Sequence, residues 1–268
     1  MDEIDFAEVV GRPVRAVDEW VPARGGQGSD VWRVQTDQGP VIVRRPREVP
    51  PGRGPFMITL HRLFGITPWD VASVAAVHAA MAPLAPVPAV LRCRPPFLVV
   101  QHLPGTPPRK FTGLGGLLGD RLGRIHARSF AEWGHPAGPP RHLLATFHPR
   151  LAGVVPHAAL RDLPPPPEAT CCMADIDAGQ FLLEGGRLIG PIDLEAYVLA
   201  PPALELAVLE CQLEGADAWA FAQAYSRHRP LPLLGPYRHA YRLFHHAIRF
   251  VHRRPPLAEW LGRPPRFP

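Results

Sequence analysis

Residues 172–206 read CMADIDAGQFLLEGGRLIGPIDLEAYVLAPPALEL. Two aspartates, Asp175 and Asp193, each stand beside an apolar run of strand length, at 180–183 and 187–192. Glu184-Gly185-Gly186 between the runs is a tight-turn signal, so the segment is predicted to be a β-hairpin with a carboxylate near each open end. That geometry draws the two acids to one mouth, together with the amide of Gln180. Such a trio suits magnesium-assisted phosphoryl transfer, in which one acid orients a hydroxyl while the other acid and the amide hold the metal. An ordinary hairpin with acids in its turns is the alternative reading.

Composition narrows the classes around that hairpin. The chain has 268 residues, 46% hydrophobic and 20% charged, which is the balance of a globular protein with a sizeable core. Proline is abundant at 36, and Lys110 is the sole lysine in a chain of net charge +5. The positive balance permits an anionic partner, but no nucleic-acid-binding motif accompanies it. Cys93, Cys171, Cys172 and Cys211 form no C-x-x-C pair, so reduced, buried thiols in a cytoplasmic protein are expected. The acidic start, Met1-Asp2-Glu3-Ile4-Asp5, does not resemble a signal peptide. The uncharged run 71–91 is broken by Pro83, Pro86 and Pro88, which excludes a membrane span there.

Taken in order, residues 2–20 read as a short helix and a strand. Arg24-Gly25-Gly26-Gln27-Gly28-Ser29-Asp30 precedes strands at 31–34 and 41–44, the latter ending in Arg44. Glycines in such a hairpin let backbone amides approach a polyphosphate closely. Residues 46–68, rich in Pro, Gly and Arg, read as a loop over a cleft. Asp70 precedes an apolar helix at 71–81 and suits its N-cap; it is also the one acid between Glu48 and Asp120. A buried strand at 97–100 runs into Gln101-His102-Leu103-Pro104-Gly105. Amphipathic helices are predicted at 114–130, 204–225 and 234–253. From Arg227 onward there are nine arginines, five histidines and one carboxylate, Glu259, which reads as a basic face and a proline-rich tail.

The stretch 172–206 resembles the catalytic region of the aminoglycoside phosphotransferase and choline-kinase-like family, whose pattern is H-G-D-x-x-x-x-N, a hairpin, I-D-W/F-E and a downstream acidic-Leu-Ala. Asp175 falls on the family's catalytic aspartate, Gln180 on its metal-binding asparagine and Asp193 on its second metal aspartate. Glu205-Leu206-Ala207 takes the place of Asp-Leu-Ala. Met173 departs from the histidine and Gln180 from the asparagine. Leu122-Gly123-Arg124-Ile125-His126 resembles the Leu-x-x-Leu-His packing element, which makes His126 structural. The resemblance also implies that Gly25, Gly26, Gly28 and Ser29 belong to a nucleotide-binding loop and that Arg44 stands at the usual phosphate-binding lysine. It further implies that Asp70 is the candidate acid paired with Arg44, and that backbone groups at Gln101 to Leu103 meet adenine.

What the resemblance implies as a whole is an α+β, bilobal protein-kinase-like fold. An antiparallel β N-lobe with one helix would occupy 1–103, and a larger, mainly helical C-lobe 104–268. ATP and Mg would bind between them, and a hydroxyl of a small metabolite would be phosphorylated, in a setting such as natural-product metabolism. A Ser/Thr kinase of a precursor peptide in ribosomal natural-product pathways and a catalytically degraded pseudokinase acting as a scaffold are the alternatives. The basic C-terminal count points to a neutral or anionic acceptor, or an acidic peptide, over a polycationic aminoglycoside.

Overall fold

A computed structural model describes residues 4–19, 28–47, 54–248 and 255–268. Helix α1 (Phe6–Val10) is capped by Asp5 and leads into strand β1 (Val14–Glu19). Strands β2 (Ser29–Thr36), β3 (Gly39–Pro46), β4 (Val90–Arg94) and β5 (Phe97–Gln101) complete an antiparallel sheet of order β1-β2-β3-β5-β4. Alternation along β3 decides what each face meets. Val41 and Val43 turn toward Val9 and Val10 of α1, with Val34 and Val99. Ile42 turns the other way, toward Val71 and Val74 of helix α3 (Val71–Met81), with Leu98 and Val100. Arg44, two residues beyond Ile42, therefore leaves the sheet on the α3 side.

The segment 46–68 is not simply a loop. Helix α2 starts at Pro55, where a proline's fixed φ suits the first turn, and runs from Pro55–Thr59 into a wider turn at Leu60–Phe64. Leu60, Leu63 and Phe64 share one face and enter the large core, while His61 and Arg62 stay exposed. Pro, Gly and Arg around them masked that spacing. Gly65 ends the turn at φ +73°, with its α-carbon so close to Pro140 that a Cβ would lie 2.2 Å from Pro140 Cδ.

The C-terminal part is mainly helical: α4 (Gly115–His126), α5 (Phe147–Leu151), α6 (Pro202–Leu209), α7 (Gly215–Tyr225), α8 (Arg238–Ala247) and α9 (Leu257–Leu261). A small sheet of order β7-β6-β11-β8, comprising β6 (Glu132–Gly134), β7 (Arg141–Leu143), β8 (Thr170–Met173) and β11 (Tyr197–Ala200), lies among them. The predicted hairpin is present as β9 (Phe181–Glu184) and β10 (Arg187–Pro191), with Gly185 and Gly186 both at positive φ in the turn. The predicted helix at 114–130 is shorter. The one predicted at 204–225 is two, because the chain turns at Glu210 and starts again at Gly215. All eight residues of α6 are buried, since it is packed between β8 and α8. Among the described residues no helix is long and apolar enough to cross a membrane, and all four cysteines are free thiols, with Cys93 alone exposed.

Glu210, where α6 ends, reorganises the C-terminal arginines. Its Oε1 accepts from Arg238 Nε and Arg242 Nη2, both at 2.8 Å, and its Oε2 from the Arg266 amide at 3.1 Å. Arg242 is buried and also donates to the carbonyls of Leu261 and Arg263, while Trp260 Nε1 donates to the Arg242 carbonyl. Arg229 pairs with Glu168. Arg238 and Arg242 thereby hold the tail 255–268 onto α8 and are turned inward.

Helices α4 and α7 approach unusually closely because Gly115, Gly119 and Gly123 recur every fourth residue along one side of α4. A Cβ at Gly119 would stand 2.3 Å from Phe221 O, and one at Gly115 2.1 Å from Asp217 O. Asp217 meanwhile accepts from the amides of Gly113 and Gly115 at 3.0 and 3.1 Å. Gly119→Ala is expected to force the helices apart and to destabilise the protein by about 1–3 kcal/mol, read as a lowered urea midpoint. The same substitution at Gly116, which has nothing within 4 Å, should be neutral or stabilising.

Candidate active site

Strand β8 delivers Asp175. It pairs with β11 up to Met173 opposite Tyr197, and the chain then leaves the sheet, with Ala174 N still donating to Ala196 O at 2.9 Å. The loop that follows is pinned from below. Glu205 of α6 accepts from Met173 N at 3.0 Å and pairs with His126 Nε2 at 2.7 Å. Nδ1 of His126 lies 2.9 Å from the hydroxyl of Tyr225. The imidazole is thus set between the Glu205 carboxyl group and the Tyr225 hydroxyl. Cys172 is close to this pair, but its thiol donates to Ala200 O, and burial raises its pKa well above the usual thiol value. The trio is thus an anchor of the loop, as expected for His126. Gln212 Nε2 holds the Ile176 carbonyl at 2.6 Å.

Beyond Asp175, Asp177 caps the turn Ala178–Gln180. Gln180 is set between the two aspartates. Its Nε2 donates to Asp175 Oδ2 at 2.9 Å, and its main-chain carbonyl accepts from Ile192 N at 2.8 Å, which seats Asp193 alongside. Arg44 reaches the same place from the sheet. Its Nη2 donates to Asp193 Oδ1 at 3.1 Å and to Glu195 Oε1, and its Nη1 to the Ile192 carbonyl at 3.5 Å.

Asp175, Gln180, Asp193 and Arg44 therefore stand together. Two neighbours went unnoticed in the sequence. Glu195 is one, and no spacing rule links it to a residue on β3. His78 of α3 is the other: it is buried, donates from Nδ1 to Pro88 O at 3.0 Å, and has its pKa lowered to about 4 by burial.

The remaining expectations fare differently. Arg44 does not pair with Asp70, which caps α3 by accepting from Ala72 N and Ser73 N at 3.1 and 3.2 Å. An aspartate ahead of a helix satisfies free amides there, and that local bond wins. Gly28 and Ser29 open β2, with Gly28 O accepting from Arg47 N. Gly25 and Gly26 lie outside the described residues. Gln101 closes β5 opposite Val41 with its side chain exposed, and Leu103 follows in the loop leaving the sheet.

Asp193 and Glu195 crowd the Arg44 guanidinium, and Asp175 feels the Asp193 charge. Burial, then the Asp193 charge, raise Asp175 well above the usual carboxylate range. Burial also opposes ionisation of Asp193, but contacts from Glu195 and Arg44 outweigh it and hold that group low. Glu195 is raised well above its ordinary value by burial and by Asp193, against the pull of Arg44. Asp175 Oδ1 and Glu195 Oε2 are buried with no hydrogen-bond partner. Surplus acid, orphaned oxygens and an all-oxygen donor set fit a hard divalent cation such as magnesium.

The comparisons agree with this architecture. A family model described as phosphotransferase enzyme family matches residues 19–244. The structure superimposes on a macrolide 2′-phosphotransferase from Brachybacterium faecium with a TM-score of 0.66 at 19% identity, covering 92% of this chain and 89% of the other. For a thermostable mutant of aminoglycoside phosphotransferase APH(4)-Ia, in ternary complex with ADP and hygromycin B, the values are 0.59, 16%, 90% and 87%. For choline kinase from Cryptosporidium parvum they are 0.56, 10%, 92% and 87%. At such identities the likeness is one of fold, and it is the kinase-like fold expected above. No curated protein matches the chain by sequence.

A carboxyl group with a raised folded-state pKa adds stability that is complete below its unfolded value and is lost as pH rises through the folded one. Asparagine at 175 cannot ionise and escapes that loss. Asp175→Asn is therefore expected to melt above wild type near pH 7, with the gap closing as pH falls toward about 4, as followed by thermal unfolding across pH.

Proposed function

This chain belongs to the phosphotransferase enzyme family, and we propose that it is an ATP- and magnesium-dependent O-phosphotransferase whose acceptor is a hydroxyl of a small molecule. The observation that carries the reading is the meeting of Asp175, Gln180 and Asp193 with a cation from the sheet, Arg44. Asp175 takes the acceptor hydroxyl. Its orphaned Oδ1 accepts that proton as the oxygen attacks the γ-phosphorus and the bond to the β-phosphate oxygen breaks. The ionised carboxylate is the form that can accept, and a divalent cation held beside it would favour that form. Asp193 and the Gln180 amide would hold magnesium, which would neutralise charge on the transferring phosphate. Arg44 donates to phosphate oxygens through a planar fork, where lysine would offer a point charge.

Gln180 turns its NH2 toward Asp175. Half a turn of the amide presents its oxygen instead, so the donor a metal needs is retained. Met173 is compatible with this reading, because the loop is held at that position through the main-chain amide bonded to Glu205, which a methionine supplies as a histidine would.

The relatives of similar fold have small hydroxylated acceptors or ligands in their names: a macrolide, hygromycin B and choline. They favour a small molecule over a precursor peptide here. Two of the C-terminal arginines behind the preference for a neutral or anionic acceptor, Arg238 and Arg242, pair with Glu210, which weakens that preference.

The test is phosphate transfer from ATP with magnesium across a panel of hydroxylated small molecules, cationic ones included. Asp175→Asn should lower turnover by about 10²–10⁴-fold while a non-hydrolysable ATP analogue binds within a few-fold of wild type. Gln180→Asn should stay near wild type in both. An analogue that fails to bind wild type in the presence of magnesium would overturn the proposal.

A further inference from the structure

In the usual arrangement of a phosphate-binding cation on such a sheet, an acid on the helix behind it holds the cation in place. Here α3 has no carboxylate between Val71 and Met81, and Asp70 caps the helix end. The residue α3 brings toward Arg44 is His78, whose titration both Arg44 and Asp193 influence. A carbonyl can only accept, so the bond to Pro88 O fixes the proton on Nδ1 and leaves Nε2 a neutral acceptor, buried and with no partner. An uncharged ring cannot counter a guanidinium.

Resting on the phosphotransferase reading, we infer that Glu195 is the positioning residue for Arg44, holding the guanidinium from the C-terminal half so that Asp193 stays available to the metal. A single nitrogen, Nη2, is shared between Asp193 Oδ1 and Glu195 Oε1. Arg44 and Glu195 are nearly enclosed, at 13% and 9% side-chain exposure, whereas Asp193 is open at 38%. The enclosed acid thus grips the arginine, and the open one faces the cleft. Glu195 is itself rigidly seated. Leu194 O accepts from Tyr197 N at 3.1 Å and Ala196 O from Ala174 N at 2.9 Å, which ties it to the strand pair that carries Asp175. A carboxyl group enclosed here with one oxygen unpartnered costs stability, and its other oxygen is given to Arg44. Without Glu195 the whole attraction of Arg44 would fall on Asp193, and the guanidinium would compete with the metal for that carboxylate.

The measurement is the magnesium concentration that half-saturates binding of a non-hydrolysable ATP analogue, by calorimetry, in wild type, Glu195→Ala, Arg44→Gln and the double variant. Glu195→Ala, which removes the acceptor altogether, should raise it about tenfold, a coupling of about 1.4 kcal/mol. In the double variant the requirement should return to that of Arg44→Gln alone, because the competitor has gone. An equal rise in both backgrounds would make Glu195 a direct metal ligand and overturn the inference, as would no rise in either. If wild type binds no analogue with magnesium, the proposed function itself fails and the inference falls with it, a result unlike the other two. Melting curves check that each variant is folded. If Glu195→Ala is not folded, Glu195→Asp, which keeps a carboxyl group on a shorter arm, takes its place and should give an intermediate requirement.

Discussion

One buried carboxylate, that of Glu205, joins the parts on which everything else depends. It belongs to α6, lies 2.7 Å from Nε2 of His126 at the end of α4, and accepts from the amide of Met173 where β8 gives way to the loop bearing Asp175. Both Glu205 and His126 are enclosed, so their bond is not weakened by competing water. Removing one member of such a buried pair typically costs about 3–5 kcal/mol, since the other is left uncompensated. Position 173 is consequently defined by its backbone. A methionine there fills apolar space with no loss of the bond that fixes the loop.

Local spacing carried the hairpin and the three residues at its mouth, because a two-residue turn and alternating strands fix where Asp175, Gln180 and Asp193 go within twenty residues. Alternation likewise made β3 legible, and Arg44 at its end. What could not be read were partnerships across the chain. Arg44 and Glu195 are separated by 151 positions, and nothing in either segment announces the other. The expected partner, Asp70, had a stronger local claim in the free amides of α3. Leu60, Leu63 and Phe64, in the wider turn after α2, had the right period, but their Pro, Gly and Arg flanks looked like a loop.

The C-terminal arginines show a different failure. Counting them gives a basic surface, yet an arginine's long stem and fixed fork allow it to serve buried acceptors. Glu210 and a row of main-chain carbonyls take Arg238 and Arg242 inward, and the tail follows them. Composition supplies the sign of the charge and is silent on which way each side chain turns. The acceptor question consequently rests on the chemistry of the cleft.

The glycine stripe on α4 also bears on the order in which the molecule assembles. Four of its twelve residues are glycine, each about 1 kcal/mol less favourable in a helix than alanine. Alone, that segment has little tendency to nucleate. It must wait for α7, some hundred residues later in the chain, before its backbone can be held. His126 is the last residue of α4, so the anchor of the loop bearing Asp175 forms only after most of the polypeptide has been made. During synthesis, the sheet at the front of the molecule can fold early, whereas the acid that would receive the hydroxyl is fixed in place late.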